Sequence, residues 1–343
     1  MSSACYDALL VVSFGGPESR DAVIPFLENV LRGKPVPRER MLEVAEHYYH
    51  FEGVSPINSQ LRELIAALDD ELQGRNIRLP IYWGNRNWHP FLGGTIRQMA
   101  ADGRRRALAY VTSAYSSYSG CRQYLENMEA ARAEVGAGAP EIDKLRVFYN
   151  HPGFVEATAA RVRDALDRFP PASRRGLHVL FTAHSIPLAM AAHCDYAQQL
   201  RETAELVAGR LQLSRWDLVY QSRSGPASQP WLEPDVLAAI RGLGGQSGLT
   251  GLVLAPIGFL SDHLEVLYDL DVEAAGVCAE LGIPVVRAGT VGTHPRFVQM
   301  IRQLIEERLE PAAGKLAIGR YGPSRDICPA DCCRYPLRRP PNG

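Results

Sequence analysis

Residues 258–274 read GFLSDHLEVLYDLDVEA and set Glu265, Asp269 and Glu273 at four-residue spacing behind a histidine-bearing turn. On a helix that spacing stacks side chains on one face, where like charges cost an isolated helix roughly 0.2–0.5 kcal/mol per pair. A chain that accepts this cost has a use for negative charge there, and a visiting cation is the simplest one. The plainer reading is a solvated helix face, with Val266, Leu267 and Leu270 as its buried stripe.

His184 closes the apolar run LFTAHSIP, ahead of a turn marked by Pro187. A lone histidine in such a place is often satisfied by neighbouring backbone. Its position at a strand's carboxyl end, matched by a second strand-end motif, PIGFLSDHLEV, favours a shared cleft where one imidazole meets the carboxylates. A neutral imidazole accepts a proton or binds a transition metal near neutral pH. Carboxylates hold hard divalent cations and relay protons. Residue types alone therefore point to a His/carboxylate site for a divalent metal.

The tail, DICPADCCRYP, carries a second chemistry: Cys328, Cys332 and Cys333 crowd into six residues. Three soft thiolates suit an iron–sulfur cluster or zinc and need a fourth ligand. The alternative, unpaired exposed thiols, invites oxidation. The other cysteines, Cys5, Cys121, Cys194 and Cys278, are dispersed.

The elements that must position these residues alternate. Strands are expected at YDALLVVSF, LPIYWGN, RALAYVTSAY, KLRVFYN, GLHVLFTAHS, WDLVYQS, TGLVLAPIGF and IPVVRAG, and helices between them include residues 55–72, 124–135, 154–168, 196–211 and 263–281. Such alternation predicts an α/β fold with parallel sheets covered by helices. Eight strands suit two doubly wound, Rossmann-like halves with a cleft between them. The expected division is 5–150 for the first half, rejoined by a helix at 294–308, then 151–290 for the second half and 315–343 for a cysteine-bearing tail. The last residues, RYPLRRPPNG, are expected to fray.

Several function classes are excluded. GLGGQSG follows a helix and precedes a strand, the reverse of a dinucleotide loop, and SFGGPES lacks the spacing and Lys of a phosphate loop. A net charge of −1 with scattered basic residues implies neither nucleic acid nor an anionic membrane surface as partner. With 46% hydrophobic and 22% charged residues the chain folds rather than remaining disordered. No secretory leader and no apolar run of membrane-spanning length are visible. A cytoplasmic location follows as the expectation, where thiols stay reduced and seven cysteines are not a disulfide framework.

LLVVSFGGPES, FLENVLRGKPVP, GVSPIN, YWGNRNWHP, FTAHSIP, YQSRSG, PWLEPD and PIGFLSDHLEVLYDLD, in this order, make the chain resemble the ferrochelatases, most closely their actinobacterial branch, from about residue 6 to 333. The resemblance implies insertion of ferrous iron into a porphyrin held in the cleft. His184 would be the active-site histidine, with Glu265 its partner across the porphyrin plane and Asp269 and Glu273 extending the path for metal or protons. Phe14 replaces a Tyr of some relatives and offers an aromatic face without a metal-binding oxygen. Arg32, Ser55 and Tyr124 match porphyrin-carboxylate positions, Arg86 an active-site Arg, and Trp231 a cleft-lining aromatic. Trp231 as plain core and Arg32 as a solvated helix end are the alternatives. His47 stands where some relatives have Arg, which implies a weaker or pH-dependent carboxylate contact. The resemblance also implies a [2Fe–2S] cluster on Cys328, Cys332, Cys333 and the internal Cys121, and coproporphyrin III as the porphyrin. Protoporphyrin IX as substrate, or a non-catalytic haem or porphyrin carrier, are the competing readings. A monomer is expected.

Overall fold

The computed structural model describes residues 6–226, 228–310 and 312–335. It contains two four-stranded sheets, each parallel throughout. The first comprises β1 (Ala8–Ser13), β2 (Ile81–Asn85), β3 (Arg106–Val111) and β4 (Glu141–Lys144), in the order β2-β1-β3-β4. The second comprises β5 (Leu177–His184), β6 (Trp216–Gln221), β7 (Gly251–Ala255) and β8 (Val285–Arg287), in the order β6-β5-β7-β8. The near-continuous apolar runs have their physical cause here. β1 and β7 are buried at every residue, as strands covered by helices on both faces must be.

In both sheets the chain reverses its direction of travel at the first strand, and ligands of open α/β sheets bind beyond the carboxyl ends at such a switch point. β1 ends there at Ser13, followed by Phe14, and β5 ends at His184.

The first sheet carries α1 (Val23–Leu31), α2 (Arg38–Tyr49), α3 (Ile57–Gln73), α4 (Leu92–Ala101) and α5 (Gln123–Val135). After β4 come α6 (Pro152–Asp167), α7 (Leu188–Ala191), α8 (Tyr196–Leu211), α9 (Val236–Leu243), α10 (Leu264–Val266), α11 (Ala275–Glu280) and α12 (Pro295–Leu309). A single apolar core runs through both sheets, joining Leu9, Tyr110, Phe148, Phe154, Phe181 and Phe297. α12 lies against α3 and α6, and Glu71 of α3 accepts from Arg302 of α12 at 2.6 Å. A separate small core of Val23, Phe26, Leu27, Met41 and Ala45 holds α1 to α2.

Two expectations are corrected. The fourth strand is EIDK, not KLRVFYN, of which β4 keeps only Lys144. Residues 146–150 are buried but leave the sheet, the Phe148 amide donating to the Ala114 carbonyl at 3.2 Å. Their apolarity reflects passage through the common core rather than ladder pairing. The carboxylate helix is not a plain α-helix either. Between α10 and α11 residues Leu267–Ala274 form π-turns, a wider geometry found most often at functional sites. The segment RYPLRRPPNG lies largely outside the described residues, as does Cys5.

Candidate active site

His184 is set by backbone on three sides. It pairs in register with Gln221 of β6, its carbonyl accepts from Tyr196 Oη at 3.0 Å, and its Nδ1 lies against the Ser185 carbonyl. A carbonyl partner on Nδ1 requires the proton there, which leaves the Nε2 lone pair free. Nε2 faces Glu265 Oε2 at 3.8 Å, and both side chains reach solvent, at 34% and 50% exposure. The loop behind His184 is braced by the Trp231 segment: Ser185 Oγ donates to the Leu232 carbonyl at 2.8 Å and the Leu232 amide to the Ile186 carbonyl at 3.0 Å. Trp231 itself is 9% exposed, and its backbone bridges to Pro187 in this turn.

A separation of 3.8 Å corrects the placement of Glu265 across the porphyrin plane. A flat macrocycle between the two groups needs about 7 Å, two van der Waals contacts of about 3.5 Å each. His184 and Glu265 therefore stand on one side of whatever enters.

The acidic column is graded by burial. Glu265 is exposed, whereas Asp269 is clamped by β6 and its turn, accepting from Gln221 Nε2 at 3.2 Å and from Ser222 Oγ. Gln221 is fixed in turn by Thr182 Oγ1, donating at 2.8 Å. Burial, opposed by these hydrogen bonds and aided by the Glu265 charge, raises the Asp269 carboxyl to about 6. Glu273 is also raised, by burial and then by Asp235. His263 starts the helix, its Nδ1 accepting from the Val266 amide at 3.2 Å, and desolvation keeps it low and neutral beside Glu265.

On the first half, the Arg86 guanidinium lies over the rings of Tyr124 (4.7 Å) and Phe14 (5.7 Å). Lys34 stands at the bend after α1. It is exposed, and its ammonium is lowered by desolvation and by the Arg86 charge, with Glu265 opposing, which puts it within electrostatic reach of both. Tyr48 of α2 is pushed up by burial and by Glu265. Ser55 is buried against Gly16, where an added Cβ would come within 2.8 Å of it. Arg32 is exposed and donates to Asn29 at 2.5 Å, the solvated helix end of the plainer reading. His47 stacks flat on Tyr268 of the π-turns, 3.8 Å between centroids at 8°. That contact joins α2 to the carboxylate helix and occupies the imidazole. Lys34, Tyr48 and Tyr268 carried no sequence signal, because each belongs to a segment far in the chain from what it meets.

The tail returns to the first half. Arg122 Nη1, in the π-turn Tyr118–Arg122 that holds Cys121, donates to the Ala330 carbonyl at 2.9 Å, and the rings of Tyr118 and Tyr335 meet at 4.9 Å. Cys332 and Cys333 sulfurs are 3.5 Å apart, and Cys328 lies within electrostatic reach of Cys121 and Cys332. Cys194 lies within electrostatic reach of this group, while Cys278 is buried in the second half's core. Among the described residues no three or more His, Cys, Asp or Glu side chains converge closely enough to hold a metal as they stand. Nor is any helix among them long and apolar enough to cross a membrane.

The ferrochelatase family model matches residues 6–309. The chain is 60% identical over 336 residues to a ferrochelatase of Rhodopirellula baltica, covering 98% of this chain and 95% of that protein. It is 51% identical to a coproporphyrin III ferrochelatase of Frankia alni, covering 97% and 88%. Among solved structures, SirB from Bacillus subtilis with Fe3+ superimposes with a TM-score of 0.57 at 13% identity, over 91% of this chain and 99% of that one, a likeness of fold. A family match across most of the chain, on a chelatase-like α/β frame that brings an imidazole and a carboxylate within 3.8 Å, leads to one conclusion: this chain belongs to the ferrochelatases, enzymes that insert ferrous iron into a porphyrin.

Proposed function

We propose that the porphyrin is coproporphyrin III and that His184 and Glu265 perform the insertion. The observation that carries the second part is the 3.8 Å approach of His184 Nε2 to Glu265 Oε2 at the carboxyl end of β5. Metalation brings one dication into the macrocycle and releases two pyrrole protons. The free Nε2 lone pair accepts a proton or hands over the iron, and Glu265 supplies the counter-ion for an imidazolium so formed. Asp269, raised to about 6, is poised to carry a proton onward near neutral pH, with Glu273 beyond it. Arg86, Lys34, Ser55 and Tyr124 offer donors for carboxylates, and Phe14 and Tyr124 apolar faces for the ring. A substrate with four propionates suits such a polar set better than one with two. The Frankia alni relative, named for coproporphyrin III, supports the same choice.

We further propose that Cys121, Cys328, Cys332 and Cys333 hold a [2Fe–2S] cluster. They suit that group in donor type and number, Arg122 ties the tail to the Cys121 turn, and the thiols would draw closer together to bind it. When bound, the cluster supplies a four-thiolate cross-link between tail and body. Iron insertion itself changes no oxidation state.

The test compares initial rates of ferrous iron insertion into coproporphyrin III and protoporphyrin IX. Coproporphyrin III is expected to react faster, and faster turnover of protoporphyrin IX refutes the assignment. His184→Ala is expected to retain porphyrin binding while insertion falls by at least 100-fold, on the order of a lost general base. A variant that inserts iron at the normal rate refutes the role given to His184.

A further inference from the structure

We infer that Arg122 is a positioning residue for porphyrin recognition, coupling the docked tail through the π-turn Tyr118–Arg122 to the Arg86 guanidinium. The inference rests on the reading of Arg86, Tyr124 and Phe14 as porphyrin-holding groups, and it is independent of whether the cysteines carry a cluster. Arg122 holds two partners with one planar group. Its Nη1 donates to the Ala330 carbonyl of the tail at 2.9 Å, and its Nε donates to Glu126 Oε1 at 3.1 Å. Glu126 Oε2 accepts from Tyr118 Oη at 3.0 Å, and the Tyr118 ring meets the exposed ring of Tyr335 at 4.9 Å. The tail therefore grips both ends of the π-turn, and Glu126 of α5 ties the two grips together. Arg122 and Glu126 share one face at four-residue spacing, while Tyr124, midway between them, turns to the opposite face and is buried.

The same turn faces the porphyrin-holding groups. The Ser119 carbonyl accepts from Arg86 Nη1 at 3.4 Å, and Tyr124 supplies the ring 4.7 Å from the guanidinium carbon. A guanidinium receives a carboxylate through a planar fork. The oxygen that holds one nitrogen and the ring that holds the plane set where the other N–H groups point. The turn has little slack of its own. Gln199 of α8 anchors its approach, accepting from the Ser116 amide at 2.7 Å and donating to Ser116 Oγ at 3.0 Å. Ser117 Oγ accepts from the Gly120 amide at 2.8 Å, and a Cβ at Gly120 would come within 2.7 Å of Ser113 Oγ. A turn released by the tail thus swings as a unit and carries the Ser119 carbonyl and Tyr124 with it. The Arg122–Glu126 pair is 26% and 45% exposed, so it adds little to folding. Its effect belongs in binding.

The experiment uses full-length protein purified without air, comparing wild type, Arg122→Ala, Arg86→Ala and the double variant. Fluorescence titration gives the Kd for coproporphyrin III, and initial rates give kcat and the KM values for porphyrin and for ferrous iron. Arg122→Ala is expected to weaken porphyrin binding about tenfold, within the usual range of coupling between sites, and to raise the porphyrin KM in proportion. The iron KM and the kcat at saturating porphyrin are expected to stay at wild-type values, a split that general loosening of the fold does not produce. Arg86→Ala is expected to weaken porphyrin binding by itself, and adding Arg122→Ala to it is expected to cost nothing more, because the coupling has lost its receiver. Should Arg122→Ala not fold, Tyr335→Ala removes the exposed tail ring alone and is expected to weaken porphyrin binding in the same sense. An unchanged porphyrin Kd in the tested variant, or a loss that adds in full to that of Arg86→Ala, overturns the inference alone. An Arg86→Ala protein that binds porphyrin like wild type overturns the reading of the porphyrin site and this inference with it.

Discussion

Replacing Asp269 by Asn separates the cost of the acidic column from its use. Burial, with the Glu265 charge, moves this carboxyl from 3.8 to about 6. That difference is about two units, or about 3 kcal/mol against the ionised form. Because the folded value is the higher one, the stability contribution is present below pH 3.8 and is lost as pH rises through about 6. Asn is neutral throughout and escapes the loss. In urea titrations the variant is therefore expected to exceed wild type by up to about 3 kcal/mol at pH 8, the gap shrinking as pH falls from 6 toward 4.5. Function is expected to move the other way. A carboxylate one turn beyond Glu265 lies on the order of 8 Å from a cation held there. At an effective dielectric near 20 it attracts a unit charge by about 2 kcal/mol, roughly thirtyfold in rate. Loss of porphyrin fluorescence on adding ferrous iron measures that rate across the same pH range. A variant less stable than wild type at every pH, or a rate profile merely parallel to wild type, refutes the reasoning.

Other consequences follow from contacts outside the site. Arg146 and Glu307 form a bidentate ion pair exposed by only 1% and 4%, and Arg146 also donates to the Leu316 carbonyl at 2.8 Å. Arg146→Met strands a buried carboxylate and is expected to cost about 3–5 kcal/mol in denaturant unfolding, whereas the pair replaced together by apolar residues costs far less; equal losses refute the ion-pair account. His47, lowered by burial and by Arg40, is neutral at pH 7 in its stack on Tyr268. His47→Ala is expected to cost about 0.5–1.5 kcal/mol. Porphyrin affinity in the wild type is expected not to track a histidine titration between pH 6 and 8. A Kd that does so would return His47 to the carboxylate role.

Much of the site was legible because its chemistry is written in local motifs. A histidine at the end of FTAHS and carboxylates four apart in DHLEVLYDLDVE declare their types and rough placement whatever surrounds them. Strand positions were legible for the same reason: doubly covered parallel strands are apolar runs of fixed length. KLRVFYN misled because burial in a core crossing leaves the same trace as burial in a sheet.

The amino-acid sequence by itself determined which groups exist, the order of strands and helices, and that three cysteines crowd into the tail. Only the tertiary structure decided that His184 and Glu265 share one face, that π-turns carry the acidic column, and that His47 is spent on Tyr268. The reason is physical. Distances between residues dozens to hundreds apart, and the burial that moves Asp269 to about 6, are set by how two sheets and a returning tail pack together, and no local pattern encodes them.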